Sequence, residues 1–294
     1  MRVLLAGGSG FVGEWIADRL LQEGCNVVAI GRTSPKRRSS LLEYHQADLA
    51  KPGLSSLLQS FEGFDAVIHA AAMISPSMSD ADITLVNGYG THQLVQAAIE
   101  QAIPRFVYVS SISVVGTPGK FAITELTPIA PRSVYSASKA YGEFLVEHGY
   151  GPHGIFTTLR VTAPIGNGIP DGRFLSVLVR NAKAGRPLQI YGRGTRRQNY
   201  VDVRDVAQAV WLGLRSAQSG MFNIGGICSV SNLDLAKLCI ATLQSNSEIT
   251  YSGKDDPEES QHWDVCIDVA RQQIGYTPQY DLNASILHIA NDSL

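Results

Sequence analysis

Three polar residues in the middle of the chain have the types and spacing that proton exchange with an alcohol requires. Tyr135 and Lys139 are four residues apart in the stretch SVYSASKAYGE, so on a helix both side chains lie on one face. A neighbouring ammonium group stabilises a phenolate and lowers the tyrosine pKa from its usual value of about 10. Ser111 ends a predicted strand upstream, where its hydroxyl can bond the reacting oxygen. This pattern predicts a tyrosine that acts as a general acid or base.

A glycine pattern at the start of the chain indicates a phosphate-binding turn. The stretch VLLAGGSGFVGEWIADRL runs from an apolar strand into a helix, with glycines three residues apart at the junction. A helix N-terminus offers unpaired N–H groups and a positive dipole end, and glycine lets a pyrophosphate approach the backbone. We predict dinucleotide binding; the alternative is a turn whose glycines serve packing alone. The residues predicted to contact the cofactor here are Gly7, Gly10, Phe11, Val12 and Gly13.

The end of the second predicted strand bears on the choice between NAD and NADP. An acidic residue at this place binds the 2′-hydroxyl of the adenosine ribose in NAD. The sequence instead has Gly31 and Arg32, followed by Lys36, Arg37 and Arg38. An arginine attracts a 2′-phosphate, so Gly31 and Arg32 favour NADP(H) over NAD(H). The alternative is a solvated basic loop.

Short apolar strands alternate with helical segments through the first half of the chain. The strands show no polar alternation, which is typical of strands buried on both faces of a parallel sheet. They are Val3–Ala6, Asn26–Ile30, Ala66–Ala70, Arg105–Ser110 and Phe156–Val161. The helices between them are Trp15–Glu23, Gly90–Gln101 and Tyr135–His148. We therefore predict an α/β fold with a Rossmann-like doubly wound parallel sheet.

The segment after Val161 predicts a smaller C-terminal lobe woven onto that sheet. Its predicted helices are Phe174–Ala184, Val201–Leu214 and Asn232–Gln244, and its predicted strands are Leu188–Tyr191 and the sequence MFNIGG. We assign residues 1–162, with about 199–225, to an NAD(P)-binding domain. Residues 163–198 and 226–294 form the predicted substrate-binding lobe.

Composition narrows the class of protein. The 294 residues carry a net charge of −2, so the chain lacks the excess positive charge that is typical of nucleic-acid-binding proteins. No apolar run reaches the roughly 18 residues of a membrane span. The cysteines (Cys25, Cys228, Cys239 and Cys266) form no CxxC pair and indicate reduced thiols. We predict a cytoplasmic protein without metal ligands that acts on a small molecule.

These motifs together resemble the extended short-chain dehydrogenase/reductase family, in its branch of NAD(P)-dependent nucleotide-sugar epimerases and dehydratases. The segments that carry the resemblance are GGSGFVG, the ADL that contains Asp48 and Leu49, VIHAAA, NGYGT, VSSISVVG, YSASK, LRVTAPIG, NYVDVRDVA, FNIGG and DVARQQIGYTP. They extend over nearly the whole chain.

The resemblance implies a role for each matching residue. Tyr135 would be the acid/base, Lys139 the ribose ligand and modulator of the tyrosine pKa, and Ser111 the hydroxyl on the substrate oxygen. Asn87 would hold the catalytic region in place; the alternative for it is a helix cap. The remaining residues implied in cofactor binding are Asp48 and Leu49 at the adenine, and Ala70, Ala71 and Ala72 along the cofactor.

The chain also departs from its family at informative positions. Dehydratases of this branch carry an Asp-Glu pair after the catalytic hydroxyl, where this chain has Ile112 and Ser113, so elimination is disfavoured. Nucleotide-sugar enzymes often have Asn where Ala163 precedes Pro164, and Arg-Asp in place of the Gln-Asn that follows Arg197. Three arginines nearby could bind a diphosphate or form a solvated rim. They are Arg193, Arg196 and Arg197.

The implied activity is reversible hydride transfer at a secondary alcohol or ketone of a nucleotide sugar, as net 4-epimerisation or net 4-keto reduction. One alternative is an NAD(P)H-dependent reductase of a non-nucleotide carbonyl compound. Another is a regulator that binds the cofactor without catalysis. The resemblance further implies a homodimer that pairs through Gly90–Gln101 and Tyr135–His148, unless both helices simply cover the sheet.

Overall fold

A parallel β-sheet forms the centre of the computed structural model, which describes residues 1–61, 63–74, 79–119 and 121–291. The strands in chain order are β1 (Arg2–Ala6), β2 (Asn26–Gly31), β3 (Leu42–Gln46), β4 (Ala66–His69), β5 (Arg105–Ser111), β6 (Ile155–Val161), β7 (Ala163–Ile165), β8 (Leu188–Ile190), β9 (Arg197–Asp202), β10 (Gly220–Ile224), β11 (Ser229–Ser231) and β12 (Ile249–Tyr251).

Helices cover the sheet and continue through the C-terminal part of the chain. They are α1 (Phe11–Gln22), α2 (Leu54–Gln59), α3 (Asp80–Ile83), α4 (Gly90–Glu100), α5 (Val134–Phe144), α6 (Phe174–Lys183), α7 (Val203–Leu214), α8 (Asn232–Leu243), α9 (Asp268–Ile274) and α10 (Leu282–Ala290). A π-helical segment, Thr84–Tyr89, joins α3 to α4 without a break, and a second one, Leu145–Tyr150, extends α5.

Seven strands of the described residues pair in the order β10–β6–β5–β4–β1–β2–β3, and every pairing is parallel. The order reverses between β1 and β4, so the chain leaves these two neighbouring strands in opposite directions. Such a switch point opens a crevice at the carboxyl ends of the strands, where ligands bind in doubly wound folds. The predicted Rossmann-like α/β fold is confirmed.

Burial explains why the sequence signal for these strands is strong. Leu4, Leu5 and Ala6 of β1 are fully buried, because helices cover both faces of the sheet. The edge strand β3 differs, since its sequence LEYHQ is half-exposed and polar. The apolar pattern therefore missed β3.

One predicted helix begins too early. The segment Val201–Leu214 was expected to be helical throughout, but Val201 and Asp202 end strand β9 and the helix begins at Val203. The Asp202 carboxylate accepts a hydrogen bond from the Arg204 amide at 2.9 Å and caps α7. A capping aspartate stops the helix from extending backwards.

The C-terminal part of the chain has its own apolar cluster. It includes Ile165, Leu175, Leu235 and Ile286, from β7, α6, α8 and α10. Two small sheets lie in this region, one of β11, β9 and β7 and one of β12 and β8. The separate cluster agrees with a second lobe, and the exact domain boundaries stay a prediction. Across the described residues, no helix is long and apolar enough to cross a membrane.

Candidate active site

A cavity of about 700 Å³ opens at the carboxyl ends of the central strands. This volume lies in the usual range of about 300–1,000 Å³ for small-molecule sites. One wall consists of the glycine-rich turn and the ends of β4, β5 and β6. The opposite wall comes from the C-terminal part of the chain and includes Arg173, Tyr191, Arg196, Gln198, Tyr200, Asn232, Asp255 and Asp256.

The three glycines of the glycine-rich turn are required for different reasons. Gly7 has a φ of +90°, and a Cβ there would lie 2.5 Å from the Ala71 amide nitrogen. A Cβ on Gly13 would lie 1.9 Å from the Gly7 carbonyl oxygen. Gly10 differs, because the nearest atom to its missing Cβ is 3.5 Å away and the residue lines the cavity. Gly7 and Gly13 therefore allow tight packing, whereas Gly10 leaves space for a ligand.

The start of α1 fits a dinucleotide phosphate. Gly10 is the N-cap residue and provides no side-chain cap, so the first amides of this 12-residue helix stay available to an anion. Phe11, Val12 and Gly13 follow on the same cavity wall. At the end of β4, Ala70 and Ala72 line the cavity, whereas Ala71 packs against Gly7.

The predicted catalytic side chains come together in this cavity. Ser111 ends β5, Tyr135 lies in the first turn of α5 and Lys139 follows one turn later; all three line the cavity. The Lys139 ammonium donates a 2.7 Å hydrogen bond to the Val109 carbonyl and lies 4.8 Å from the centre of the Tyr108 ring. The Ser111 oxygen lies 2.9 Å from the Ser113 hydroxyl oxygen.

Helix α5 begins where it does because of a capping box. The Ser133 hydroxyl accepts a hydrogen bond from the Ser136 amide at 3.1 Å, and the Ser136 hydroxyl accepts one from the Ser133 amide at 3.0 Å. These two bonds satisfy amides that a helix end otherwise leaves free. The cap places Tyr135 on the first helical turn, close to the end of β5.

Burial dominates the ionisation of both groups. It raises the pKa of the Tyr135 hydroxyl, although hydrogen bonding with Ser111 and the charge of Arg173 act to lower it. Burial also lowers the pKa of Lys139 to about 7, against the opposing influence of the Glu143 carboxylate. Among the chain's own residues, desolvation of the phenolate outweighs the groups that stabilise it. The expected lowering of the Tyr135 pKa therefore stays a prediction for the protein with its cofactor bound.

Asn87 joins the loop after β4 to helix α5. Its side chain accepts a 2.7 Å hydrogen bond from the Met73 amide and donates one of 3.0 Å to the Met73 carbonyl. It also donates a 3.0 Å hydrogen bond to the Ser138 hydroxyl. Asn87 lies inside a continuous helical stretch, so its side chain is a bridge and not an N-cap.

The residues predicted at the adenine and its ribose lie outside the cavity as formed by the described residues. The Asp48 carboxylate accepts a hydrogen bond from the Ala50 amide at 3.1 Å, and Leu49 is buried against Gly90. Arg32 is exposed at the end of β2. Arg37 instead folds back onto α1, with its Nε atom 3.4 Å from an oxygen of Asp18. Arg32 therefore remains available to a ligand, whereas Arg37 is engaged.

Two arginines on the far side of the cavity differ in where their side chains lie. Arg196 lines the cavity and forms a 2.5 Å ion pair with Glu258. Arg197 turns away, and its guanidinium donates to the hydroxyl and the carbonyl of Ser229 at 3.0 and 2.5 Å. Sequence motifs did not single out Asn232, Asp255 or Asp256, because only tertiary folding brings these residues to the cavity.

The fold and the site define the chain as an enzyme of the extended short-chain dehydrogenase/reductase type. Its sequence matches the NAD dependent epimerase/dehydratase family over residues 3–225, which is most of the chain. The chain belongs to this family.

Named relatives are consistent with that assignment. A UDP-glucose 4-epimerase of Mycolicibacterium smegmatis is 30% identical over 252 residues, which cover 80% of each protein. The fold is similar to that of UDP-glucose 4-epimerase from Thermotoga maritima, solved with UDP-glucose, with a TM-score of 0.90, 20% identity and coverage of 99% and 98% of the two chains. MoeE5, solved with UDP-glucuronic acid and NAD, is 25% identical with a TM-score of 0.88 and coverage of 100% and 99%.

Proposed function

We propose that this chain catalyses reversible hydride transfer at a secondary alcohol of a nucleotide sugar, with net 4-epimerisation as the outcome. The observation that carries this proposal is that Ser111, Tyr135 and Lys139 share one cavity with the glycine-rich turn. A cofactor bound along that turn and a substrate bound against the C-terminal wall would both reach these side chains. The family and the names of its relatives support the same reaction.

A nicotinamide cofactor held along the glycine-rich turn would supply reversible hydride transfer at the substrate carbon. Tyr135 would take the hydroxyl proton as the alcohol becomes a ketone and give it back on reduction. Lys139 would bind the cofactor ribose and, when protonated, stabilise the Tyr135 phenolate. Ser111 would hold the reacting oxygen by a hydrogen bond. Burial of the Tyr135 hydroxyl and the Lys139 ammonium strengthens these electrostatic effects.

Elimination of water needs further acid and base groups beside the catalytic hydroxyl. Ile112, which follows Ser111, is buried and apolar, and Ser113 offers only a hydroxyl. This favours epimerisation or reduction over dehydration. Arg196 and Arg173 would be the candidates to bind a substrate diphosphate, since both guanidinium side chains line the cavity.

A second candidate is an NADPH-dependent 4-keto reductase, and the exposed Arg32 favours it. No acid ends β2, so a 2′-phosphate would meet an arginine and not a carboxylate. We predict NADP(H) to be preferred over NAD(H) on this ground. Other members of the family bind NAD, as MoeE5 does.

We also infer a homodimer with two-fold symmetry. Four large side chains on adjoining helical segments are exposed, namely Leu85, Tyr89, Tyr141 and Phe144. A second copy of this face would cover them, and two-fold dimers are the commonest homo-oligomers. Light scattering that shows a monomer at micromolar concentration would contradict this.

The four cysteines are free thiols, which fits the cytoplasm we propose for the protein.

The reaction can be tested with UDP- and dTDP-linked hexoses as separate substrates. A 4-epimerase converts one epimer into the other without net consumption of dinucleotide, and proton NMR resolves the two sugars. A 4-keto reductase instead oxidises one NADPH for each 4-keto sugar reduced, which is visible in the nicotinamide absorbance. If neither change occurs with any nucleotide sugar, the proposal is contradicted. That result would favour a non-nucleotide carbonyl substrate or a regulator.

A further inference from the structure

A buried ion pair lies one helical turn beyond Lys139 on α5. Glu143 follows Lys139 by one helical turn, and its two carboxylate oxygens receive the Nε and Nη2 groups of Arg160 at 3.0 and 2.8 Å. Both side chains are only 2% exposed. The Ser110 hydroxyl donates a 2.6 Å hydrogen bond to the same carboxylate. This cluster, Ser110–Glu143–Arg160, ties α5 to strands β5 and β6.

The cluster lies on the functional face of α5. Tyr135, Lys139 and Glu143 are spaced by four residues, so the three side chains follow one another along one side of the helix. The side chain of Arg160 also reaches the Glu125 carbonyl at 3.3 Å. Helix α5 therefore contacts β5 and β6 through Glu143, which lies on the same side of the helix as Tyr135 and Lys139.

The charges that face Lys139 come from several elements. His69 of β4 is buried and neutral, because desolvation and the Lys139 charge hold its pKa well below the ordinary value. Tyr108 of β5 presents its ring to Lys139, and Arg160 of β6 is paired with Glu143. Among the described residues, Glu143 supplies the negative charge that favours the protonated form of Lys139.

We propose that Glu143, held by Arg160 and Ser110, is a positioning residue that fixes Lys139 against strand β5 and keeps its ammonium charged. The proposal rests on the proposed function, in which Tyr135 depends on a protonated Lys139. A buried ion pair adds little net stability, since desolvation offsets its attraction. Two apolar residues of similar size could replace the packing of Glu143 and Arg160. They could not provide the negative charge that Glu143 places near Lys139.

The titration of Lys139 tests the proposal without any turnover. The chain has seven lysines, so ¹³C-labelled lysine gives a simple NMR spectrum, and Lys139→Arg identifies the Lys139 signal. The variants are Glu143→Gln and the paired change Glu143→Leu with Arg160→Met, which removes both members of the ion pair so that neither is left without the other. Glu147→Gln is the matched control, because it removes the same charge from an exposed site one turn further on.

We expect the Lys139 midpoint to fall by about one pH unit in both Glu143 variants. The control should keep the wild-type midpoint. A folded paired variant with the wild-type midpoint would overturn the proposal, because a purely structural ion pair would leave the titration unmoved. If neither variant folds, Glu143→Asp decides: a shorter carboxylate predicts an intermediate midpoint, and an unchanged one counts against the proposal.

The experiment separates this inference from the proposed reaction. If no nucleotide sugar reacts but the midpoint shifts, the reaction is wrong and the role of Glu143 stands. Where a substrate is found, the alkaline limb of the rate profile should move to lower pH in Glu143→Gln. Glu143→Asp should move it back toward the wild-type position.

Discussion

Gly142 lies directly against the hydroxyl of Tyr108, so a Cβ on Gly142 would come within 2.1 Å of that oxygen. Tyr108 is fully buried and its ring carries the Lys139 ammonium on one side. The close approach of α5 to β5 at this point therefore determines how near Lys139 comes to the strand.

Gly142→Ala should destabilise the protein, because a buried ring and a helix would have to separate. We expect a loss of about 1–3 kcal/mol in the free energy of unfolding, the usual effect of overpacking. Urea denaturation measures it. Gly119→Ala is the control, since a Cβ there meets no atom within 4 Å. Equal stability of the two variants would contradict the packing described for Gly142.

Gly10→Ala should weaken cofactor binding, whereas Gly13→Ala should lower the stability of the protein. A Cβ on Gly13 collides with a backbone oxygen, so Gly13→Ala should cost about 1–3 kcal/mol of stability. A Cβ on Gly10 enters only the cavity, so Gly10→Ala should leave the urea midpoint close to wild type but weaken dinucleotide binding. Calorimetric titration with NAD and NADP measures the binding. Unchanged affinity in Gly10→Ala would remove this residue from the cofactor site.

Tyr135→Phe should preserve the fold and cofactor binding but slow turnover by at least about a hundredfold, the usual contribution of a general acid or base. The phenylalanine keeps the ring and removes the group that exchanges the proton. Tyr141→Phe, on the same helix but exposed, serves as the control. Wild-type turnover in Tyr135→Phe on the true substrate would exclude the role assigned to Tyr135.

Arg32→Ala should remove most of a preference for NADPH over NADH. A hydrogen bond to a charged group contributes about 1.5–3 kcal/mol, or about ten- to a hundredfold in affinity. Calorimetric titration of cofactor-free protein with each dinucleotide measures the preference, and Arg38→Ala is the control from the same exposed loop. Equal affinities in the wild type, or NAD retained through purification, would refute the NADP preference.

The buried Lys139 should make stability depend on pH. Its pKa is lowered from 10.5 in the free side chain to about 7 in the folded protein. Between these values the unfolded state binds the extra proton, so this group makes the folded state more stable as pH rises from about 7 to 10.5.

The predicted slope is at most about 1.4 kcal/mol per pH unit, the value for one proton. Lys139→Met should lose this contribution, so its stability relative to wild type should increase as pH falls from 10 toward about 7. Urea unfolding of both proteins at several pH values measures the difference. A constant difference over this interval would show that Lys139 titrates in the folded state as it does in the unfolded one.

Local patterns predicted the parts of the fold and site that depend on local geometry. The glycine spacing and the Tyr135–Lys139 spacing are properties of a single turn or helix, and both lie at the cavity. The far wall could not be predicted, because Arg173, Asn232 and Asp255 meet only when the C-terminal elements fold back. The effect of burial on the Tyr135 pKa could not be predicted from the sequence either, since it depends on the whole structure.

The connection between β6 and β10 has a consequence for synthesis on the ribosome. Strand β10 pairs with β6, yet it emerges about 60 residues later, after β7, β8, β9 and the two helices α6 and α7. At a synthesis rate of about 5–20 residues per second, the apolar edge of β6 stays open for roughly 3–12 seconds. An open strand edge invites pairing with other chains. Chaperones protect such exposed edges in nascent chains, and a slow-translating stretch before Gly220 would lengthen the exposure of β6.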